Sequence, residues 1–81
     1  MSKARHPFPS EGKTSTLHRE GGIYVPLMVV RISQHGDAPA TIYGWEFPDP
    51  TREAGATVRF VACDWDQEAG MLRDAVLVPP T

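Results

Sequence analysis

From Thr14 onward, apolar and polar residues alternate along most of the chain, with the period of two that strands show. Thr14-Ser15-Thr16-Leu17-His18-Arg19 is β-prone and stops at Glu20-Gly21-Gly22, a turn signal. Ile23 to Ser33 is the strongest strand. Ile23, Val25, Leu27 and Val29 fall on one face, and Tyr24, Met28, Val30 and Ile32 on the other, which predicts burial of both faces. Pro26 has no N–H for a ladder, so it predicts an edge position, a bulge or the true strand start. Gln34 to Pro39 reads as a loop and Thr41 to Phe47 as a third strand. Ala56 to Trp65 alternates again, with Val58, Phe60 and Ala62 opposite Arg59, Val61, Cys63 and Trp65. Gln67 to Gly70 is a hairpin turn, Met71 to Val78 the returning strand, and Pro79-Pro80 its end.

Between the third and fourth strands, Asp49 suits a helix N-cap, Pro50 the first helical position and Gly55 the stop. That predicts one short helical turn near residues 50–54. Ahead of the first strand, Pro7, Pro9, Ser10 and Gly12 break any regular element. Residues 1–13 therefore read as a flexible N-terminal tail, and residues 14–81 as a single β-barrel domain. Five short strands at even spacing predict an all-β fold, a small five-stranded barrel that is OB-like, with an SH3-like barrel as the alternative.

Gly55-x-x-Val58-x-Phe60, a turn containing Gly70, and Ala75-x-x-Val78 together resemble the last hairpin of cold-shock-type OB-folds. The resemblance covers under half of the chain and favours the OB-like barrel over the SH3-like one. The nucleic-acid motifs of that family, a Lys-Gly-Phe/Tyr-Gly-Phe run and a Phe-Val-His-type run, are not in this sequence.

Composition narrows the function classes. With 81 residues the chain has room for one core and a stability margin of roughly 3–5 kcal/mol, so oligomerisation is a reasonable expectation. Cys63 is the only cysteine and can form no internal disulfide; with no secretory pattern at Met1-Ser2-Lys3, this predicts a cytoplasmic protein. The longest apolar run, Ile23 to Val30, is too short to span a bilayer as a helix. Net charge is −2, unevenly spread: Lys3, Arg5, Lys13 and Arg19 against Glu11 give the first 19 residues +3, and four arginines against nine acids give the rest −5. An acidic body weakens a nucleic-acid reading, for which a basic patch is the usual footprint.

The candidate chemistry centres on Tyr43-Gly44-Trp45-Glu46-Phe47. At strand period Tyr43, Trp45 and Phe47 share one face, with Gly44 and Glu46 on the other. Three rings in a row form either a core wall or a surface on which a partner packs. The need of a small barrel for large interior residues favours the core for the stripe as a whole, with the Trp45 indole N–H kept at the surface. As a binding face, the stripe would act with Arg31, Arg59 and Arg73, whose directions decide between partners.

Asp64, Asp66 and Glu68 match the first, third and fifth positions of a calcium loop, but Ala69 and Ala75 stand where the loop needs Gly and Glu, so a solvated acidic hairpin tip is the better reading. His6, His18, His35 and Cys63 have no metal-ligand spacing, and no metal or cofactor is predicted. Ser10, Ser15 and Ser33 lie in no nucleophile motif, and no phosphate-binding glycine loop is present. The expectation is a non-enzymatic module that binds another protein, as a regulator, inhibitor or accessory subunit, or that self-associates through an exposed strand. Single-stranded nucleic-acid binding through an OB-like aromatic face is the alternative.

Overall fold

The structure is a computed structural model, and it describes residues 7–37, 39–48, 51 and 54–79. It is all-β: five strands, β1 (Thr14–Arg19), β2 (Ile23–Ser33), β3 (Thr41–Glu46), β4 (Arg59–Asp66) and β5 (Met71–Leu77), form a closed barrel in the order β1-β2-β3-β4-β5. The small OB- or SH3-like barrel read from the alternation is thus the architecture, wound so that each strand pairs with its neighbours in sequence. Among the described residues there is no helix, and the helical turn expected at 50–54 falls mostly on positions outside them. No helix is long and apolar enough to cross a membrane among the described residues.

Leu17, Val25, Leu27, Val29, Ala40, Ile42, Val61, Cys63, Trp65 and Leu72 form the core. They lie on one face of every strand, so β2 is buried on one side rather than both. Val25, Leu27 and Val29 point in, while Tyr24 and Val30 are exposed. A register shift between Val29 and Arg31 makes Val30 an extra residue opposite β3. The bulge reverses the parity, which is why Ile32 packs against the core although it shares its nominal face with Tyr24.

Pro26 sits inside β2, opposite Thr16 of β1. Its carbonyl accepts the Phe47 N–H at 3.1 Å, just past the end of β3. The donor Pro26 lacks would point to that same side, where the β3 ladder has stopped, so no strand pairing is lost.

A second shift, between Ala62 and Asp64, places two β5 residues, Asp74 and Ala75, against Cys63 alone. Asp74 takes a left-handed conformation there, with φ of 56°. Closure is uneven: the ladders between sequence neighbours each run through five or six residue pairs, whereas β1 and β5 meet in parallel at the single bridge Leu17–Leu72. Ahead of β1, the Gly12 N–H donates to the Val29 carbonyl at 2.8 Å, the Lys13 carbonyl accepts the Val29 N–H at 2.9 Å, and the Phe8 ring lies 6.5 Å from that of Trp65.

Candidate functional site

The inward residues of β3 are Ile42, Gly44 and Glu46, all buried. Two contacts between strands fix this parity. At Gly44 a Cβ would collide with the Met28 carbonyl and with Leu27 Cδ2, so only glycine lets β3 lie this close to β2. At Glu46 two arginines hold the carboxylate inside. Arg59 Nη2 donates to Oε1 at 2.7 Å and to Oε2 at 3.0 Å, and Arg19 Nε lies 3.2 Å from Oε2. Glu46 is 3% exposed, a buried charge matched by a charge-assisted pair on each side.

With Gly44 and Glu46 inside, the aromatic stripe is outside, which corrects the expectation that it forms core. Trp45 is 44% exposed, and Tyr43 and Phe47 are half-buried. The cross-strand register builds the surface around them. Met28 of β2 and Phe60 of β4 flank Trp45 directly. The Trp45 and Phe60 rings meet edge to face, 4.9 Å between centroids at 63°. In the next row, Arg31, Tyr43, Ala62 and Val76 lie side by side across four strands. The Arg31 guanidinium stacks 4.6 Å from the centre of the Tyr43 ring. Val30 and Val76 extend this face as exposed apolar residues. Phe60 was not among the sequence candidates; its alternation with the inward Val61 and Cys63, set in register with β3, is the signal for it.

The three candidate arginines do not converge. Arg31 lies on the aromatic face. Arg59 turns inward to Glu46. Arg73 Nε lies 2.8 Å from Asp66 Oδ2, and its Nη1 lies 3.4 Å from His18 Nδ1. His18 itself stacks on Tyr24, 4.9 Å away at 20°.

At the β4–β5 tip, Asp66 Oδ1 accepts the Glu68 N–H at 3.0 Å and the Ala69 N–H at 3.1 Å. The Ala69 bond first, then the Glu68 bond and Arg73, hold its carboxyl below the usual 3.8. Asp66 therefore closes a turn. Among the described residues no three His, Cys, Asp or Glu side chains gather as a metal cluster. Burial, then the nearby Glu46 and Asp64 charges, push the Cys63 thiol up to about 12, which leaves it a protonated core residue rather than a nucleophile.

Two concavities stand out among the described residues. One, of about 530 Å³, opens between the β1–β2 turn and the second half of β5, with Glu46, Arg59 and Val61 among its lining. The other, of about 660 Å³, lies beside Trp65, Asp64 and Asp66; the Trp65 indole N–H is buried without a hydrogen-bond partner among the described residues. Comparison with protein-family models, with curated proteins and with solved structures finds no match for this chain.

Proposed function

We propose that this protein is a non-enzymatic interaction module that docks another protein on the outer face of β2, β3 and β4, acting as a regulator, inhibitor or accessory subunit. The carrying observation is the Met28–Trp45–Phe60 row, with Trp45 exposed although the core is complete without it. Tyr43 and Arg31 widen the face, and aromatic residues, Met and Arg are the types that interface centres favour. A half-exposed tryptophan supported on both sides has the form of an anchor, able to desolvate against a partner at small ordering cost because its neighbours already hold it.

The distribution of arginines favours a protein over a nucleic acid. Among the described residues, Arg31 is the arginine that stacks on the aromatic face, while the carboxylates of Glu46 and Asp66 engage Arg59 and Arg73. A single-strand binder needs several cations tracking the phosphates beside its rings. The buried free thiol of Cys63 supports a cytoplasmic setting.

The test is capture by the immobilised full chain, with Trp45→Ala as the paired control, nuclease treatment of half of each sample, and mass spectrometry of what elutes. The expected result is a protein retained by the parent, lost with Trp45→Ala and indifferent to nuclease. Capture that disappears on nuclease treatment, with binding of labelled single-stranded oligonucleotide that Arg31→Ala weakens, would move the function to nucleic acid.

A further inference from the structure

A meander of five antiparallel strands brings its first and last strands together in parallel, because the strand count is odd. Parallel pairing over so short a stretch is poor, and only Leu17 and Leu72 bridge β1 and β5. Two residues later the left-handed Asp74 bulge redirects β5. Beyond it the banks separate, with Arg19 to Gly22 on one side, Asp74, Ala75 and Leu77 on the other, and the 530 Å³ cleft between.

The β5 segment on this cleft has a free edge. Val78 N–H donates to the Phe60 carbonyl at 3.1 Å, and Val76 lies opposite Ala62, so the polar groups of Val76 and Val78 face β4. By strand alternation those of Ala75 and Leu77 face the cleft, where the β1 ladder offers them no partner among the described residues. Ala75-Val76-Leu77-Val78 carries no charge and no proline, the devices that ordinarily guard an edge. Val76 is 62% and Leu77 61% exposed, the two most exposed large apolar residues on the barrel.

We propose that this edge pairs antiparallel with the same edge of a second copy, forming a two-fold dimer with a sheet continuous across β5. The occupant follows from self-complementarity. A strand paired antiparallel with itself about a two-fold axis satisfies both edges with one geometry. An axis through Val76 sets Ala75 of each copy opposite Leu77 of the other, so the four outward-facing N–H and four outward-facing C=O groups of the two copies exchange bonds. The same axis places Asp74 of each copy at opposite ends of the pair, against Val78, so no like charges meet. An uncharged β-prone edge of this kind is best matched by a segment of the same character, and Ala75 to Val78 supplies it. A contact of four residues per copy lies at the small end of specific interfaces, so the dimer is weak and concentration-dependent.

This edge adjoins the Trp45 face, sharing Val76 with the row beside Tyr43, but it does not include Trp45, and the two are tested separately. Sedimentation velocity of the full chain from about 10 μM to about 1 mM should show its mass rise from 8.9 kDa toward twice that value. Leu77→Pro removes an N–H from the free edge without touching the β4 ladder. It should keep the β-rich circular dichroism spectrum and remain monomeric throughout. Leu77→Lys, which places a charge on the edge and keeps the N–H, should weaken the dimer at least tenfold and serves as the deciding variant if the proline prevents folding. Trp45→Ala should dimerise as the parent does. A parent that stays monomeric at the highest concentration, or edge variants that dimerise like the parent, would overturn the proposal; so would a dimer that Trp45→Ala abolishes and Leu77→Lys spares.

Discussion

Glu46 and Arg59 stand directly opposite one another on β3 and β4, and the arginine holds both carboxylate oxygens inside the barrel mouth. The relationship is asymmetric. Glu46 is almost fully buried, whereas the Arg59 side chain is 45% and the Arg19 side chain 23% exposed. Removing the carboxylate leaves two guanidiniums that can turn toward water. Removing both guanidiniums strands a carboxylate that cannot. Arg19→Ala with Arg59→Ala should therefore cost about 3–5 kcal/mol, the penalty of an uncompensated buried charge, and Glu46→Ala clearly less. Urea unfolding of the variants checks the order, and a Glu46→Ala variant that is the less stable of the two refutes this account.

Trp45→Ala should leave the barrel standing. A core tryptophan of this size would cost about 3–5 kcal/mol, enough to unfold so small a domain. At its observed position Trp45 gives up chiefly its edge-to-face contact with Phe60, about 0.5–1.5 kcal/mol. Thermal melting read by circular dichroism separates these outcomes, and a collapse of cooperative unfolding would return the ring to the core.

Strand existence and most boundaries were legible in the sequence because alternation and turn residues are local signals, although β4 begins at Arg59 rather than at Ala56. The β1–β2 turn is marked by Gly21 and Gly22, both at positive φ, and the β4–β5 turn by the Gln67–Gly70 cluster. The faces were less legible. Tyr43, Trp45 and Phe47 look more like core than Gly44 and Glu46 do, and hydrophobicity alone assigns β3 the wrong way round. The deciding facts are non-local: the closeness of Met28 to Gly44, and two arginines, one 27 residues before and one 13 residues after Glu46. The Val30 bulge likewise hid which half of β2 faces in, since one inserted residue exchanges the faces of all that follow.

Gly44→Ala tests the close approach of β2 and β3. The added methyl meets backbone, the Met28 carbonyl, as well as the Leu27 side chain, so a rotamer change cannot absorb it. The strands must part, at about 1–3 kcal/mol for overpacking, which in a domain of this size lowers Tm by about 4–8 °C per kcal/mol. An unchanged melting temperature would mean that the β2–β3 spacing is wider than observed.

Asp66→Ala should destabilise the β4–β5 hairpin in a pH-dependent way. The folded carboxyl titrates below its ordinary 3.8 because the Ala69 and Glu68 N–H groups and Arg73 favour the charged form. Its contribution is therefore complete above the unfolded value and is lost as pH falls through the folded one. The Tm difference between parent and variant should be constant near neutrality and shrink below about pH 4. A difference that holds unchanged to pH 2, about the acid limit of the titration, would assign the stabilisation to something other than the ionised carboxylate.

Cys63 gives the converse dependence at the alkaline end. The unfolded thiol titrates at the ordinary 9.0, while in the barrel burial, with Glu46 and Asp64 adding repulsion, pushes it up to about 12. Below 9.0 both states keep the proton, and the group adds no pH slope. Between the two values the unfolded chain releases a proton that the folded chain retains, so stability falls as pH rises. Cys63→Ala removes this term at the expense of a small cavity. Its Tm should be lower than the parent's at neutral pH and should decline less steeply from about pH 8.5 to about pH 10.5. The same burial predicts that iodoacetamide labels the thiol in denaturant but not in the native protein at neutral pH, because Cys63, 1% exposed, is both protonated and out of reach. Rapid native labelling together with parallel alkaline slopes would show that Cys63 reaches solvent by local opening of β4, and that the core around it is not closed.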